Sequence, residues 1–413
     1  MKIISVNAGS SSLKFKLLDM PNENVIIEGA IERIGEETAI YTLKKDGKKD
    51  RKIVSIPNHN IAVEVILDDL IKMQIIKSFD EIKGVGHRVV QGGALYDKSV
   101  LIDDSVIQNI EKLSSLAPLH NPANLTGILA FKKAIPMAIT VAVFDTAFHQ
   151  TMEEDVFMYA TPYEWYKKYG VRKYGFHGSS HRFVSEKIAE VEGRKDLRIV
   201  VCHIGNGASI SAVKNGKCID TTMGLTPLEG IPMGTRSGNV DPTVLEFVAR
   251  NENKTVPEII DILNKKSGYL GITSYSNDSR DLEDATDYII NDDKKSIYNT
   301  KEKQDELAKL CNLALNIQYK RVVDYIGSYY ILLGGIDVIA FTAGIGENSS
   351  RFRHAILSRL SVLGVVVDEE TNNKYRSTLV KITTNASKIK SYIVPTDEEI
   401  VIARDVYSLI KYA

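Results

Sequence analysis

The feature that most constrains this chain is a strand–tight turn–strand unit that occurs twice. Ile3 to Val6 form an apolar run, Asn7-Ala8-Gly9-Ser10-Ser11-Ser12 a polar turn, and Leu13, Phe15 and Leu17 alternate beyond it, the period of a half-buried strand. About 200 residues later Ile199-Val200-Val201 runs into Gly205-Asn206-Gly207-Ala208-Ser209, and Ile210, Ala212 and Val213 lead to an Asn215-Gly216 hairpin turn. Two such units so far apart point to duplicated domains, and 413 residues exceed what one ordinary core holds. A third apolar run, Val338-Ile339-Ala340-Phe341, ends in Ala343-Gly344-Ile345-Gly346-Glu347-Asn348, with helical spacing from Arg353 to Leu363. The pattern predicts further helices near 59–73, 122–133, 180–192, 242–251, 304–327 and 397–412, and strands at 84–90 and 138–144. Hairpins mixed with strand–helix units make an α/β chain with mixed sheets.

Charge and cysteine content remove several functions. Lys+Arg number 52 against 53 Asp+Glu, a net charge of -1, which gives no global attraction to nucleic acid or anionic membrane. Cys202, Cys218 and Cys311 form no CxxC pair, so a cytoplasmic protein without a disulfide framework is expected. No run approaches the roughly 18 apolar residues of a membrane span, and the N-terminus turns polar at Asn7 before a signal sequence develops.

The familiar nucleotide signatures are missing: there is no GxxxxGK[ST] loop, no protein-kinase motif set, and Gly205-x-Gly207 and Gly344-x-Gly346 lack a third glycine. The turns themselves offer an alternative cradle. Glycines aim backbone N–H groups at one point, and serine hydroxyls add donors. Asn7 to Ser12 with Lys14 beyond, His203 to Gly207, and Gly344 to Asn348 each follow an apolar strand.

Arginines in glycine-flanked loops are the second signal. Gly86-His87-Arg88-Val89-Val90-Gln91-Gly92-Gly93 and Met233-Gly234-Thr235-Arg236-Ser237-Gly238 each present a forked guanidinium suited to carboxylate or phosphate. Asp145 follows the strand 139–144. His177 and His181 have a metal-pair spacing, but the glutamate of HExxH is absent and Gly178 places His177 in a turn. At the last helix, Thr396 and Glu399 fit a capping box, leaving Glu398 as the freer carboxylate for a hard cation.

Taken together and in order, Asn7-Ala-Gly-Ser-Ser-Ser-Leu-Lys14, Gly-His-Arg88-Val-Val, Phe-Asp145-Thr-Ala-Phe-His, Gly-Phe-His177-Gly-Ser-Ser-His, His203-Ile-Gly-Asn-Gly207, Met-Gly-Thr-Arg236-Ser-Gly, Gly344-Ile-Gly-Glu-Asn348 and Thr-Asp-Glu398-Glu resemble the acetate kinase family. The resemblance runs from residue 3 to about residue 404. It implies the ribonuclease H-like fold shared with sugar kinases, Hsp70 and actin: two duplicated α/β domains, mixed sheets flanked by helices, and a nucleotide cleft between them. The expected boundaries are 1–149 plus 396–413 for the acyl and phosphate side, and 150–395 for the nucleotide-binding domain.

The resemblance also implies a homodimer catalysing ATP + acetate to ADP + acetyl phosphate, with Mg²⁺ or in its place Mn²⁺. Carried residue by residue, it gives Asn7 and Glu398 to the metal shell, and Ser10, Ser12 and Lys14 to phosphate. Arg88 would hold the acetate carboxylate; Arg236 and His177 would stabilise the transferring phosphoryl; Asp145 would position reacting groups. Val90, Leu119, Phe176 and Pro227 would line the methyl pocket. ATP would lie along His203, Ile204, Gly205, Asn206 and Gly207, along Asp278, Ser279 and Arg280, and along Gly344, Ile345, Gly346, Glu347 and Asn348. Three positions depart from the commonest family pattern: Gln91 for histidine, Asn239 for aspartate and Asp397 for asparagine. The alternatives are a propionate kinase, a pyrophosphate-dependent acetate kinase, and a non-enzymatic ATP-switched binding protein.

Overall fold

A computed structural model describes residues 1–412. The chain divides into two compact units. One comprises Met1–Gln150, His177–Phe183 and the chain from Asp397; the other comprises Thr151–Phe176 and Val184–Thr396.

The first unit is built on an eight-stranded sheet of order β5-β4-β3-β2-β1-β6-β8-β7. Its strands are β1 Lys2–Gly9, β2 Ser12–Asp19, β3 Asn24–Glu32, β4 Ala39–Lys45, β5 Lys48–Val54, β6 Ile82–Val89, β7 Val100–Leu101 and β8 Ile139–Phe144. The first five form an antiparallel meander, and the Lys-rich segment around Asp46-Gly47 is the tip of the β4–β5 hairpin. β6 and β8 then add in parallel beyond β1, and β7 closes the edge antiparallel. The second unit carries a six-stranded sheet, β11-β10-β9-β12-β14-β13, made of β9 Arg198–Ile204, β10 Ala208–Lys214, β11 Lys217–Thr221, β12 Val338–Thr342, β13 Val380–Lys381 and β14 Lys390–Ile393. It repeats the plan: an antiparallel meander β9-β10-β11, two strands added in parallel beyond β9, and one antiparallel edge strand. The duplication expected from the two turn motifs is therefore present as a repeated strand order.

Period-2 alternation on β2 buries Leu13, Phe15 and Leu17 under the helix His59–Lys72, whose Ala62, Val63, Ile66 and Leu70 join the same core. The opposite side of the sheet receives the last helix, Glu398–Tyr412, through Ile402, Ala403 and Val406 packed with Ile3, Val141 and Val143. That packing is close because β6 presents glycines. A Cβ on Gly86 would lie 2.3 Å from Ile402 and 2.7 Å from Val406, and one on Gly84 would lie 2.5 Å from Val406. The helix that begins at Glu398 is thus seated against the strand that ends near Arg88.

Overpacking a well-filled core typically costs about 1–3 kcal/mol. Gly86→Val is therefore expected to lower the melting temperature, by lifting the last helix from the sheet. An unchanged melting curve would mean that the helix moves away without loss.

Candidate active site

β1 and β6 run parallel with Val6 opposite His87 as their last pair, so their following residues, Asn7 and Arg88, leave the same end of the sheet. Asn7 is opposite Lys14 across the β1–β2 hairpin, which puts an amide and an exposed ammonium next to each other on one face. The hairpin turn carries Ser10 exposed and Ser12 half-buried.

Arg88 is clamped by Asp145. Its Nε lies 2.9 Å from Asp145 Oδ1 and its Nη2 2.6 Å from Oδ2, a bidentate geometry that fixes the guanidinium plane. Glu398 Oε2 lies 3.9 Å from Arg88 Nε. Burial works against the charge of Arg88, but Asp145 and then Glu398 outweigh it and hold the guanidinium above its ordinary range. Glu398 is in the opposite position. Burial first, then Asp145, Glu399 and Asp397, push its carboxyl up to about 7 against the attraction of Arg88. The acids around it are differently engaged: Lys16 Nζ lies 3.1 Å from Asp397 and 3.4 Å from Glu399. Asp397 Oδ1 also accepts the Ile400 N–H at 3.1 Å. Asp397 therefore caps the helix at Ile400, and the Thr396 N–H goes to Glu347.

His177 has φ +58°, a left-handed conformation uncommon for a residue with a side chain and concentrated at functional turns. The turn is held by Gly178, whose N–H donates to the Asp145 carbonyl at 2.9 Å. A Cβ at Gly178 would fall 2.2 Å from that oxygen. Gly178 thus lets the His177 turn rest directly on the backbone of Asp145.

The second unit holds a cavity of about 570 Å³, within the range of small-molecule sites. Of the residues expected at ATP, Gly205, Asn206, Asp278, Ser279, Arg280, Gly344, Ile345 and Asn348 line it. His203 and Ile204 belong to β9, and His203, Ile204, Gly207, Gly346 and Glu347 are outside the lining. Asn277, Glu283 and Ser349 line the cavity too. No motif marks them: Asn277 directly precedes Asp278-Ser279-Arg280, Glu283 lies three residues beyond it, and Ser349 directly follows Asn348.

The third glycine turn is a helical turn, Ala343–Asn348, rather than a loop. It starts from Ala343 at φ +64°, and Glu347 secures that strained residue by accepting its N–H at 2.9 Å. Glu347 also accepts from Ser377 Oγ at 2.9 Å, so its carboxylate is engaged in holding the turn. The buried Arg353 completes the support by donating to the carbonyls of Gly346 and Glu347.

Arg236 is buried enough for its pKa to be lowered, and its guanidinium Nη1 meets only Met233 Sδ, at 3.8 Å. No carboxylate lies within ion-pair distance of it among the described residues. Its loop is fastened to the cavity wall: Gly234 N–H donates to the Asn206 carbonyl at 3.2 Å, and a Cβ there would strike Asn206 Oδ1 at 2.0 Å. Of the methyl-pocket residues, Val90 and Phe176 are buried and Pro227 half-buried, while Leu119 is 63% exposed. Val90 and Leu119 belong to the first unit, Phe176 and Pro227 to the second. Gln91 is buried; its Oε1 accepts the Gly93 N–H at 2.8 Å, and its Nε2 has no hydrogen-bond partner among the described residues.

Comparison with known proteins agrees with the motif order. The model of the acetokinase family matches residues 2–404. An acetate kinase of Chlorante-Aster yellows phytoplasma is 52% identical over 409 residues, covering 99% of this chain and 95% of the relative. The crystal structure of Porphyromonas gingivalis acetate kinase superposes with a TM-score of 0.89 at 43% identity, covering 99% of both chains. A propionate kinase from Francisella tularensis superposes with a TM-score of 0.88 at 37% identity, covering 98% of this chain and 99% of the other.

Gly178→Ala is expected to lower thermal stability and turnover together, because the added methyl must move either the His177 turn or Asp145. A variant that melts and turns over like the parent would show that the turn has room to yield.

Proposed function

The chain belongs to the acetokinase family, and on that premise we propose that it transfers the γ-phosphoryl group of ATP to acetate, giving acetyl phosphate and ADP reversibly. The observation that carries this reading is Arg236, a partly desolvated guanidinium without a carboxylate partner, on a loop fastened to the wall of a nucleotide-sized cavity. Such a group calls for an anion.

An unperturbed carboxylic acid has a pKa near ~4, so acetate arrives as a competent nucleophile and no general base is needed. One carboxylate oxygen attacks the γ-phosphorus as the bond to the bridging oxygen of ADP breaks. The difficulty is bringing two anions together in line, which is met by positioning and charge. Arg88 holds the acetate carboxylate. Asp145 engages its Nε and Nη2 and leaves Nη1 for the substrate, which makes Asp145 a positioning residue. Arg236 and His177 offset charge on the transferring phosphoryl. Ser10, Ser12 and Lys14 serve phosphate, and Val90, Leu119, Phe176 and Pro227 limit the acyl chain. The first unit is then the acyl and phosphate domain, and the second the nucleotide domain.

Asn7 and Glu398 would contribute to the Mg²⁺ shell. Glu398 is a carboxylate crowded by other acids, a setting a cation relieves. Among the described residues no group of three or more His, Cys, Asp or Glu could by itself hold a metal ion; Mg²⁺ that serves phosphoryl transfer keeps several waters and binds through one or two carboxylates plus substrate phosphates. When bound, Mg²⁺ neutralises and orients the phosphates of ATP. A cytoplasmic homodimer is proposed on the same family premise; no helix among the described residues is long and apolar enough to cross a membrane.

The test is hydroxamate trapping of acyl phosphate from Mg-ATP with formate, acetate, propionate and butyrate offered separately. The highest kcat/KM is expected with acetate. A propionate optimum would move the assignment to the sister activity, because one methylene is worth only about 1–3 kcal/mol. An arginine at a phosphoryl transition state is worth roughly 10³–10⁵ in rate. Arg236→Ala should therefore lower kcat at least ~10²-fold in a folded protein, and a few-fold change would remove it from the mechanism. Arg88→Ala should raise the KM for acetate more than that for ATP; equal losses would count against its role.

A further inference from the structure

Beyond Val6 and His87 the β1–β6 ladder stops, although β1 continues to Gly9 and β6 to Val89. The two strands part at the point where they carry Asn7 and Arg88. One side chain bridges the fork. Asn124 Oδ1 accepts the Val90 N–H at 3.1 Å, and its Nδ2 donates to the Ala8 carbonyl at 2.8 Å. Carried further in the same register, the ladder would aim the Val90 N–H at the Ala8 C=O. The carboxamide stands between them like an inserted peptide unit, satisfying both groups while keeping the strands apart.

The helix that supplies it, Asn121–Ala134, is shaped for this task. Asn121, Asn124 and Gly127 lie one turn apart on its buried face. Gly127 brings the helix against β1, since a Cβ there would meet Ala8 Cβ at 2.6 Å. Asn121 accepts the Gln91 N–H at 3.0 Å and donates to the Gln91 carbonyl at 2.9 Å. Two amides on a core face are costly unless satisfied; here Asn124 spans Val90 and Ala8, and Asn121 pairs with Gln91 and also donates to the Ile110 carbonyl at 3.4 Å.

We propose that Asn124 is a positioning residue, which sets the separation between the Asn7–Ser12 phosphate turn and the Arg88–Val90 acid-binding strand end. The assignment rests on the acetate kinase reading. In Asn124→Ala the fork either closes or leaves two buried backbone groups unpaired. The KM for acetate is then expected to rise at least tenfold and kcat to fall, with a smaller rise in the KM for ATP, whose cavity lies in the second unit although the Asn7–Ser12 turn is proposed to meet its phosphates. Amide exchange in the same variant should accelerate together at residues 8–12 and 88–93, with 2–6 and 82–87 still protected.

A folded variant with unchanged KM for acetate and unchanged exchange at those segments would overturn the proposal, as would parallel rises in both KM values. If Asn124→Ala does not fold, Asn124→Asp, the same size, keeps an oxygen to accept the Val90 N–H and loses the amide donor to the Ala8 carbonyl, and it reads the same split; failure of both to fold would make Asn124 a folding residue and end the assignment. Wild-type protein that forms no acyl phosphate would instead sink the acetate kinase reading, and the exchange pattern would still decide the role of Asn124 in the fork.

Discussion

Both units are organised by one constraint: the first strand of a hairpin pairs in parallel with a strand that arrives much later in the chain. β1 does this with β6, and β9 with β12. Parallel pairing sends the carboxyl ends of both strands to the same edge, and open α/β sheets bind ligands in the crevice beyond that edge. Asn7 and Arg88 leave one such edge; Gly205 and Gly344 leave the other, where the Cβ of Ala343 would come within 3.6 Å of a Cβ placed on Gly205. The glycine turns are thus the consequence of a topology that needs abrupt exits from parallel strands, met once beyond β1 and β6 and once beyond β9 and β12.

Much of this was legible in the sequence because the signals are local. Apolar runs that stop at Asn-Gly-Ser turns mark strand ends, and period-2 alternation in β2 names its buried face. Eight ordered motifs identify the family where single turns do not. The elements that were not legible depend on long-range partners. Asp397 caps the last helix while pairing with Lys16 on β2, and the Thr396 N–H is taken by Glu347. Glu347 reads as one more residue of a phosphate turn, yet its oxygens hold the backbone of Ala343 and the hydroxyl of Ser377. Nothing near Ala343 in the sequence announces a positive φ, since an alanine there is tolerated only when the surrounding bonds over-determine it. Glycines 84 and 86 likewise read as ordinary strand positions until a helix from the other end of the chain lies on them.

The two loop arginines look equivalent in sequence and are physically opposite. Arg88 is fixed in orientation by Asp145 before any substrate arrives, and Glu398 stands 3.9 Å from its Nε with a carboxyl that burial and the neighbouring acids push up to about 7. That arrangement favours geometric selection: a planar carboxylate can reach only the free edge of a guanidinium whose other edge is held. Arg236 lacks such a partner, and burial lowers its pKa. Its charge is poorly satisfied in the free protein and is best satisfied when negative charge accumulates beside it. Under the proposed roles, the two arginines meet different demands, binding acetate and stabilising a phosphoryl in transit. The first needs an oriented group whose charge is already compensated, the second an uncompensated group held in place by its backbone. Gly234, pressed against Asn206, and the Gly268 backbone, which leaves no room for a Cβ beside the carbonyls of Met233 and Arg236, supply that hold without using the guanidinium. Under the proposed roles, differential binding of the transition state would follow from which arginine has a counter-ion and which has only its loop.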